Sequence, residues 1–347
     1  MVERDTQPAE TTPITANIIV ARYPPAPPAS TIAEMLNARL PPGVTLLGCG
    51  QSPAELQHLT QQQWASADVL IVWGARNPNA KEFYAKLTSL KWLHSVATGL
   101  ELWLTPEVLS SSVTITNAKG VTANSMAEFA MMCCHYFSRQ LPRLLEAQAA
   151  HRWDVFEVEE LRGATLGLVG CGHIGRRVAQ LGGAYGMRVV ALRSNPTLSQ
   201  PDVDSGLLDR VYSPEHLHEV MACSDYVVVS TPYTPDTHEL ISAAAIAAMK
   251  PTAVLINVGR GRCIDEAALI EALQAGRIRG AGLDVYQVEP LPPSSPLWGL
   301  PNVLLSPHRA AFHSNFLRDS VDLFARSLQR HLAGQPLLNV LDKQSQY

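Results

Sequence analysis

Three glycines in Gly170-Cys171-Gly172-His173-Ile174-Gly175 constrain this chain more than any other feature, because of what stands on either side of them. The apolar run Thr165-Leu166-Gly167-Leu168-Val169 leads directly into Gly170, and Ile174, Val178, Leu181 and Tyr185 then recur at helical spacing. In such a strand, turn and helix, Gly170 permits the tight turn, Gly172 lets backbone approach a pyrophosphate, and Gly175 lets helix and strand pack closely. The N–H groups and dipole of the helix end then favour phosphate. The string alone is weak, since a strand-to-helix turn needs no ligand. Its place between these two elements carries the reading.

The surrounding pattern extends the same architecture. Apolar runs at residues 164–169, 187–192, 225–230, 253–258, 280–285 and 303–306 alternate with helical patterns, which predicts an α/β fold with a doubly wound parallel sheet. Upstream, residues 16–21, 67–73 and 92–97 read as further strands. Thr31-Ile32-Ala33-Glu34 and Ser125-Met126-Ala127-Glu128 have capping-box form, so helices are expected to open at Thr31 and Ser125. Ile32, Leu36 and Leu40 would share one face of the first, and Ala127, Ala130, Met131 and Cys134 one face of the second. A last helix carries Leu317, Val321, Phe324 and Leu328 on one side and is expected to stop at Gly334. At 347 residues, two domains are expected.

Composition serves to exclude. A formal charge of −4 supplies no broad basic surface, which argues against nucleic acid and anionic membranes as partners. No stretch approaches the roughly 20 apolar residues of a membrane span. Residues 1–13 are polar, lack the apolar run of a signal peptide and are expected to be disordered. The six cysteines form no CxxC pair, so no structural metal is expected and a reducing, cytoplasmic setting is the simplest.

Residues beyond the glycine turn bear on cofactor choice. A carboxylate ending the next strand would bind the 2′-hydroxyl of NAD, yet residues 187–192 run into Arg193-Ser194-Asn195, and no Asp or Glu occurs between Gly170 and Pro201. A guanidinium and a hydroxyl suit a phosphate, so NADP(H) is expected over NAD(H), with NAD(H) as the alternative. Arg260, Glu289 and His308 follow three later strands, and in an open parallel sheet the carboxyl ends of strands share one edge. Arginine can grip a carboxylate with two parallel hydrogen bonds. Histidine can give a proton to a developing alkoxide, and a neighbouring carboxylate orients the ring and favours imidazolium. Singly, each has a dull explanation as a loop charge or a buried histidine; the ordered set fits reduction of a 2-keto acid.

These residues resemble the D-isomer-specific 2-hydroxyacid dehydrogenase family, and its glyoxylate and hydroxypyruvate reductase-like members above all. The matching pieces are Val121 through Glu128, the glycine turn, Thr231-Pro232-Tyr233-Thr234-Pro235-Asp236-Thr237, Ile256-Asn257-Val258-Gly259-Arg260-Gly261, Gly282-Leu283-Asp284-Val285-Tyr286 with Glu289-Pro290, and Ser306-Pro307-His308. The resemblance implies two Rossmann-like domains, a substrate domain from residues 1–116 and 307–347 around an inserted NAD(P)-binding domain, residues 117–306. It implies that Asp284 meets the nicotinamide carboxamide and that His173, Ile174, Thr231, Pro232, Thr237, Val258 and His308 also contact cofactor. Backbone around Thr98, Gly99 and Leu100 would help Arg260 hold the substrate carboxylate, and the helix from Ser125 would build a homodimer interface. Trp73, Arg76, Trp103 and Trp298 are candidates for shaping the substrate pocket.

Two departures stand out: Arg193 replaces the usual acid, and Arg309-Ala310-Ala311-Phe312 stands where a glycine is common. Glu289 disfavours formate, whose dehydrogenases in this superfamily carry glutamine there. The expected activity is hydride exchange between NADP(H) and carbon 2 of a small 2-keto or 2-hydroxy acid of D configuration. An NAD-dependent biosynthetic dehydrogenase and a dinucleotide-sensing binding protein are the alternatives.

Overall fold

The computed structural model describes residues 15–24, 26–73, 77–97, 100 and 103–344. The chain divides into two compact units, one taking residues up to Val121 and from Ser314 onward, the other the continuous stretch Thr122–His313. The expectation of disorder at residues 1–13 lies outside the described residues.

Among its described residues the first unit holds five parallel strands: β1 (Ala16–Arg22), β2 (Val44–Gly50), β3 (Val69–Trp73), β4 (Trp92–Ser95) and β5 (Thr114–Thr116), in the order β2-β1-β3-β4-β5. Strand side chains alternate between faces, so Ile18, Val20, Val69, Ile71 and Trp92 enter one core, and Ile19, Ala21, Leu70, Val72 and Leu93 another. Apolar residues on both faces are what a helix-covered parallel sheet requires. The last helix, Phe316–Leu332, sends Val321, Phe324 and Leu328 into the first of these cores, as its periodicity predicts. Thr31 does not open its helix, however. That helix spans Ala29–Asn37, with Ile32 N donating to the Pro28 carbonyl at 3.1 Å; Ile32 and Leu36 are buried, while Leu40 lies past its end.

Seven parallel strands form the second unit: β6 (Thr165–Val169), β7 (Arg188–Leu192), β8 (Arg210–Tyr212), β9 (Tyr226–Val229), β10 (Val254–Asn257), β11 (Gly280–Leu283) and β12 (Val303–Leu305). Their order, β12-β11-β10-β9-β6-β7-β8, reverses direction between β6 and β9, the switch point of a doubly wound sheet, and the glycine turn leaves the carboxyl end of β6 there. Val169, Val227, Val229 and Leu255 face one core; Leu166, Leu168, Val228 and Ile256 face the other.

The helix Ala123–Ser138 opens before Ser125, so Ser125 is not its cap; its hydroxyl donates instead to the Ala310 carbonyl. Ala127, Ala130, Met131 and Cys134 share a core with Val178 and Ala179 of the helix His173–Ala184. Residues 307–313 fall in this second unit and residues 117–121 in the first, where the expected boundaries lie at 117 and 307. Arg309 N and Ala310 N donate to Asp284 Oδ1 at 2.8 and 3.0 Å, which ties the segment to the end of β11.

Candidate active site

The glycine turn brings backbone together at two points that leave no room for a side chain. Gly170 has φ +94°, a backbone setting that L side chains rarely adopt, and a Cβ there would sit 3.1 Å from Thr231 N. A Cβ on Gly175 would lie 2.4 Å from the Gly170 carbonyl oxygen, so only glycine permits this approach of helix to turn. Gly172 caps the helix without a side-chain bond, and Arg176 N donates to Gly172 O at 2.9 Å. In general the first N–H groups of a helix have no acceptor four residues earlier within it. Ser230 Oγ donates to Gly170 O at 3.0 Å and braces the turn from β9.

After β7, Arg193 keeps its backbone on the sheet through N–H donation to Tyr212 O at 2.9 Å. Its Nη1 donates to the buried Ser199 Oγ at 2.8 Å, and Ser194 is exposed beside it. On the other side of the turn, Thr237 Oγ1 donates to Pro232 O and accepts from Thr234 N, both at 2.7 Å, so this hydroxyl closes its own loop.

Arg260, Glu289 and His308 follow the adjacent parallel strands β10, β11 and β12, so all three leave the same edge of the sheet. Asn257, fully buried, braces the turn carrying Arg260: its Nδ2 donates to Arg260 O and its Oδ1 accepts from Gly259 N, each at 3.0 Å. Arg260 Nη1 donates to Gly259 O at 2.9 Å. His308 Nδ1 lies 2.8 Å from Glu289 Oε2, and Glu289 Oε1 accepts from Tyr286 N at 3.1 Å. Glu289 is thus fixed by backbone at one oxygen and fixes the imidazole with the other. The His308 side chain is 43% exposed, which leaves the ring accessible while Nδ1 is engaged.

His308 has φ +54°, a left-handed conformation costing a non-glycine residue about 1–2 kcal/mol. Asp284 holds it there. This carboxylate is fully buried, and its Oδ1 accepts from Ser306 Oγ at 2.6 Å as well as from Arg309 N and Ala310 N. Tyr286, whose hydroxyl burial pushes up to about 12, stays protonated and donates to the Leu283 and Ser306 carbonyls at 3.0 and 2.8 Å. Asp284 Oδ2 and Thr231 Oγ1 are buried without a hydrogen-bond partner. A buried acceptor left open is costly, so these atoms fit a ligand that brings amide donors, as a nicotinamide carboxamide does. Val258 is buried at the end of β10.

Sequence reasoning missed the supports. Ser306, Tyr286 and Asn257 lie within the quoted motifs, but only the fold shows what they hold. Thr98, Gly99 and Arg76 lie outside the described residues, and Leu100 is buried in the first unit. Trp73 and Trp103 fill cores of the first unit. Trp298 is exposed and donates Nε1 to Pro292 O at 3.0 Å. Among the described residues no cluster of metal-type ligands occurs and no helix is long and apolar enough to cross a membrane.

Comparison with known proteins follows the same lines. Residues 130–310 match the profile described as D-isomer specific 2-hydroxyacid dehydrogenase, NAD binding domain. A glyoxylate/hydroxypyruvate reductase B of Pectobacterium atrosepticum is 30% identical over 321 residues, covering 90% of this chain and 96% of that protein. The D-3-phosphoglycerate dehydrogenase of Methanocaldococcus jannaschii is 30% identical over 278 residues, 80% of this chain, but the chain spans about half of that relative's length, 52%. The NADPH-dependent glyoxylate/hydroxypyruvate reductase of Sinorhizobium meliloti, solved in complex with NADP and sulfate, superposes with a TM-score of 0.80 at 26% identity over 96% of this chain and 100% of that one.

Proposed function

Because the chain belongs to the D-isomer specific 2-hydroxyacid dehydrogenase family, we propose that it is an NADP(H)-dependent reductase of small 2-keto acids of the glyoxylate and hydroxypyruvate class. The reaction is 2-keto acid plus NADPH plus a proton to D-2-hydroxy acid plus NADP⁺. The observation that carries this reading is the His308–Glu289 pair at 2.8 Å, on a loop that Asp284 fastens to the end of β11.

In this assignment Arg260 grips the substrate carboxylate, so that the adjacent carbonyl points to one place. His308, held through Nδ1, gives the proton to the alkoxide oxygen from Nε2, and Glu289 stabilises the imidazolium and the ring's orientation. Bound nicotinamide supplies the hydride at carbon 2. The N–H groups at Gly172, His173, Ile174 and Gly175 take the pyrophosphate, Arg193 and Ser194 the 2′-phosphate, and Asp284 Oδ2 the carboxamide, with Thr231, Pro232, Val258 and Thr237 lining that end. Arg193 at the end of β7, where an NAD site would carry an acid, supports NADP(H) over NAD(H). The named relatives that use glyoxylate and hydroxypyruvate support the substrate class.

The reading includes a homodimer in the cytoplasm. Leu144, Leu145, Trp153 and Val155 leave an apolar surface on the second unit, Trp153 at 95% exposure, of the kind that a second copy covers. The test is product analysis: with hydroxypyruvate and NADPH the purified protein should yield D-glycerate alone. L-glycerate, or a preference for NADH, would overturn the reading.

A further inference from the structure

A 2′-phosphate carries roughly −1.5 to −2 charges at neutral pH, yet the end of β7 offers one cation. After Arg193 come Ser194, Asn195 and Pro196, none of them basic. A second guanidinium reaches this region from another element. Arg176 stands on the first turn of the helix His173–Ala184, directly after Gly175, and its Nη2 lies 2.5 Å from Asp202 Oδ1. Asp202 belongs to the helix Gln200–Asp204, which follows the short 3-10 turn Pro196–Ser199 that receives Arg193 Nη1. Both guanidinia thus lean on one piece of chain, residues 196–204.

That piece is firmly placed. Asp202 is 2% exposed, Ser199 is fully buried, and the Asp202 carbonyl accepts from Leu207 N at 2.9 Å and Leu208 N at 3.1 Å. The Arg176 side chain, by contrast, is 53% exposed. Asp202 Oδ2 is buried without a partner, so the carboxylate holds Arg176 alone and by one oxygen. Five N–H donors on a rigid fork leave Arg176 free capacity toward an anion. Burial chiefly keeps the Cys171 thiol of the glycine turn protonated, with the charge of Asp202 acting on it in the same direction and those of Arg193 and Arg176 against.

Resting on the NADP(H) reading above, we propose that Arg176 is the second cation of the adenosine 2′-phosphate site and that Asp202 is the residue that positions it. Two guanidinia and one carboxylate leave a net positive charge beside the turn. The carboxylate removes some attraction, and in exchange a flexible side chain is held where the phosphate arrives.

Calorimetric titration of the full chain with adenosine 2′,5′-bisphosphate and with adenosine 5′-monophosphate isolates that phosphate without turnover. Wild type should prefer the bisphosphate by about 100-fold, the worth of two charge-assisted contacts. Arg176→Gln should lower bisphosphate affinity about 10-fold and leave monophosphate affinity within about 2-fold, while Arg176→Lys recovers part of the loss. Asp202→Asn should weaken bisphosphate binding by about 3- to 5-fold with the monophosphate unchanged, since charge is retained at Arg176 and only its placement is lost. Unaltered bisphosphate affinity in Arg176→Gln, or a parallel loss of both ligands, overturns the assignment of Arg176. Stronger bisphosphate binding in Asp202→Asn overturns the positioning role, because simple removal of a repelling charge would act in that direction. Equal binding of both ligands by wild type would instead refute the NADP(H) reading itself.

Discussion

Replacing Asp284 by alanine removes one buried oxygen that three donors share. Ser306 Oγ, Arg309 N and Ala310 N all end on Asp284 Oδ1, and the residue has no solvent exposure to offer a substitute. Hydrogen bonds to a charged acceptor contribute about 1.5–3 kcal/mol each, and a stranded buried N–H costs about 1–3 kcal/mol. The three bonds share one atom and are not additive, so a loss of about 4 kcal/mol is expected, equivalent to roughly 8–16 °C in melting temperature for a unit of this size. Asp284→Asn keeps an acceptor where Oδ1 stands and places its amide where Oδ2 has no partner. It should cost about 1–2 kcal/mol, as charge-assisted bonds become neutral ones. Scanning calorimetry of the two variants beside wild type measures both values. In the alanine variant turnover should collapse, because Ser306 would stay tied to Leu283 and Tyr286 while Arg309 and Ala310, which follow His308 at φ +54°, would lose their acceptor. An alanine variant that melts within about 2 °C of wild type would show that the carboxylate does not hold the 306–310 loop.

Three further outcomes follow from the same geometry. His308→Ala should lower kcat by about 10²- to 10⁴-fold while NADPH affinity, read by fluorescence titration, stays within about 2-fold; a kcat near that of wild type removes the proton-transfer role. Gly175→Ala places a Cβ 2.4 Å from the Gly170 carbonyl, which should cost about 1–3 kcal/mol of stability in urea unfolding and most of the dinucleotide affinity; normal binding would contradict a glycine requirement. Burial pushes His94 from 6.5 down to about 3, so it is neutral when folded and protonates on unfolding. Its contribution is present above about pH 6.5 and is lost as pH falls toward about 3, at up to ~1.4 kcal/mol per pH unit. His94→Phe should therefore reduce the loss of stability between about pH 7 and 4.5 by about 2–3 kcal/mol, and an unchanged pH dependence would show that His94 is not its source.

The central strands were legible because apolar side chains on both faces make unbroken runs: Val227 to Val229 and Leu255 with Ile256 have no polar interruption. The strands that escaped, Val44–Gly50, Thr114–Thr116 and Arg210–Tyr212, lie at sheet edges. Two of them have three residues, and the third contains two glycines and is only partly buried. Both capping boxes misled for a common reason. Ser125 and Thr31 fit the local pattern, but the backbone entered the helix two residues earlier, and Ser125 found a distant carbonyl at Ala310.

At the site, the residues with their own chemistry stood out in sequence, whereas those that position them did not. Arg260, Glu289 and His308 carry functional groups in a familiar order; Asn257 and Tyr286 matter through bonds to backbone, and Ser306 through its bond to the Asp284 carboxylate, that only the folded turns create. Asp202 lies nine residues beyond Arg193 with Arg176 on the preceding helix, and no spacing rule brings that pair together. Trp73 and Trp103 are candidates for a pocket because large aromatics often line one; both are buried in cores of the first unit, and Trp103 also lines a cavity with Ala80, Tyr84 and Val108.

The most direct test is the steady-state rate of NADPH oxidation by the wild-type protein across a panel of 2-keto acids, with formate and simple aldehydes as controls. Glyoxylate or hydroxypyruvate should be reduced with kcat/KM of about 10⁴ M⁻¹s⁻¹ or more, and NADH should serve less well. Tight NADPH binding with no turnover of any 2-keto acid would contradict the account.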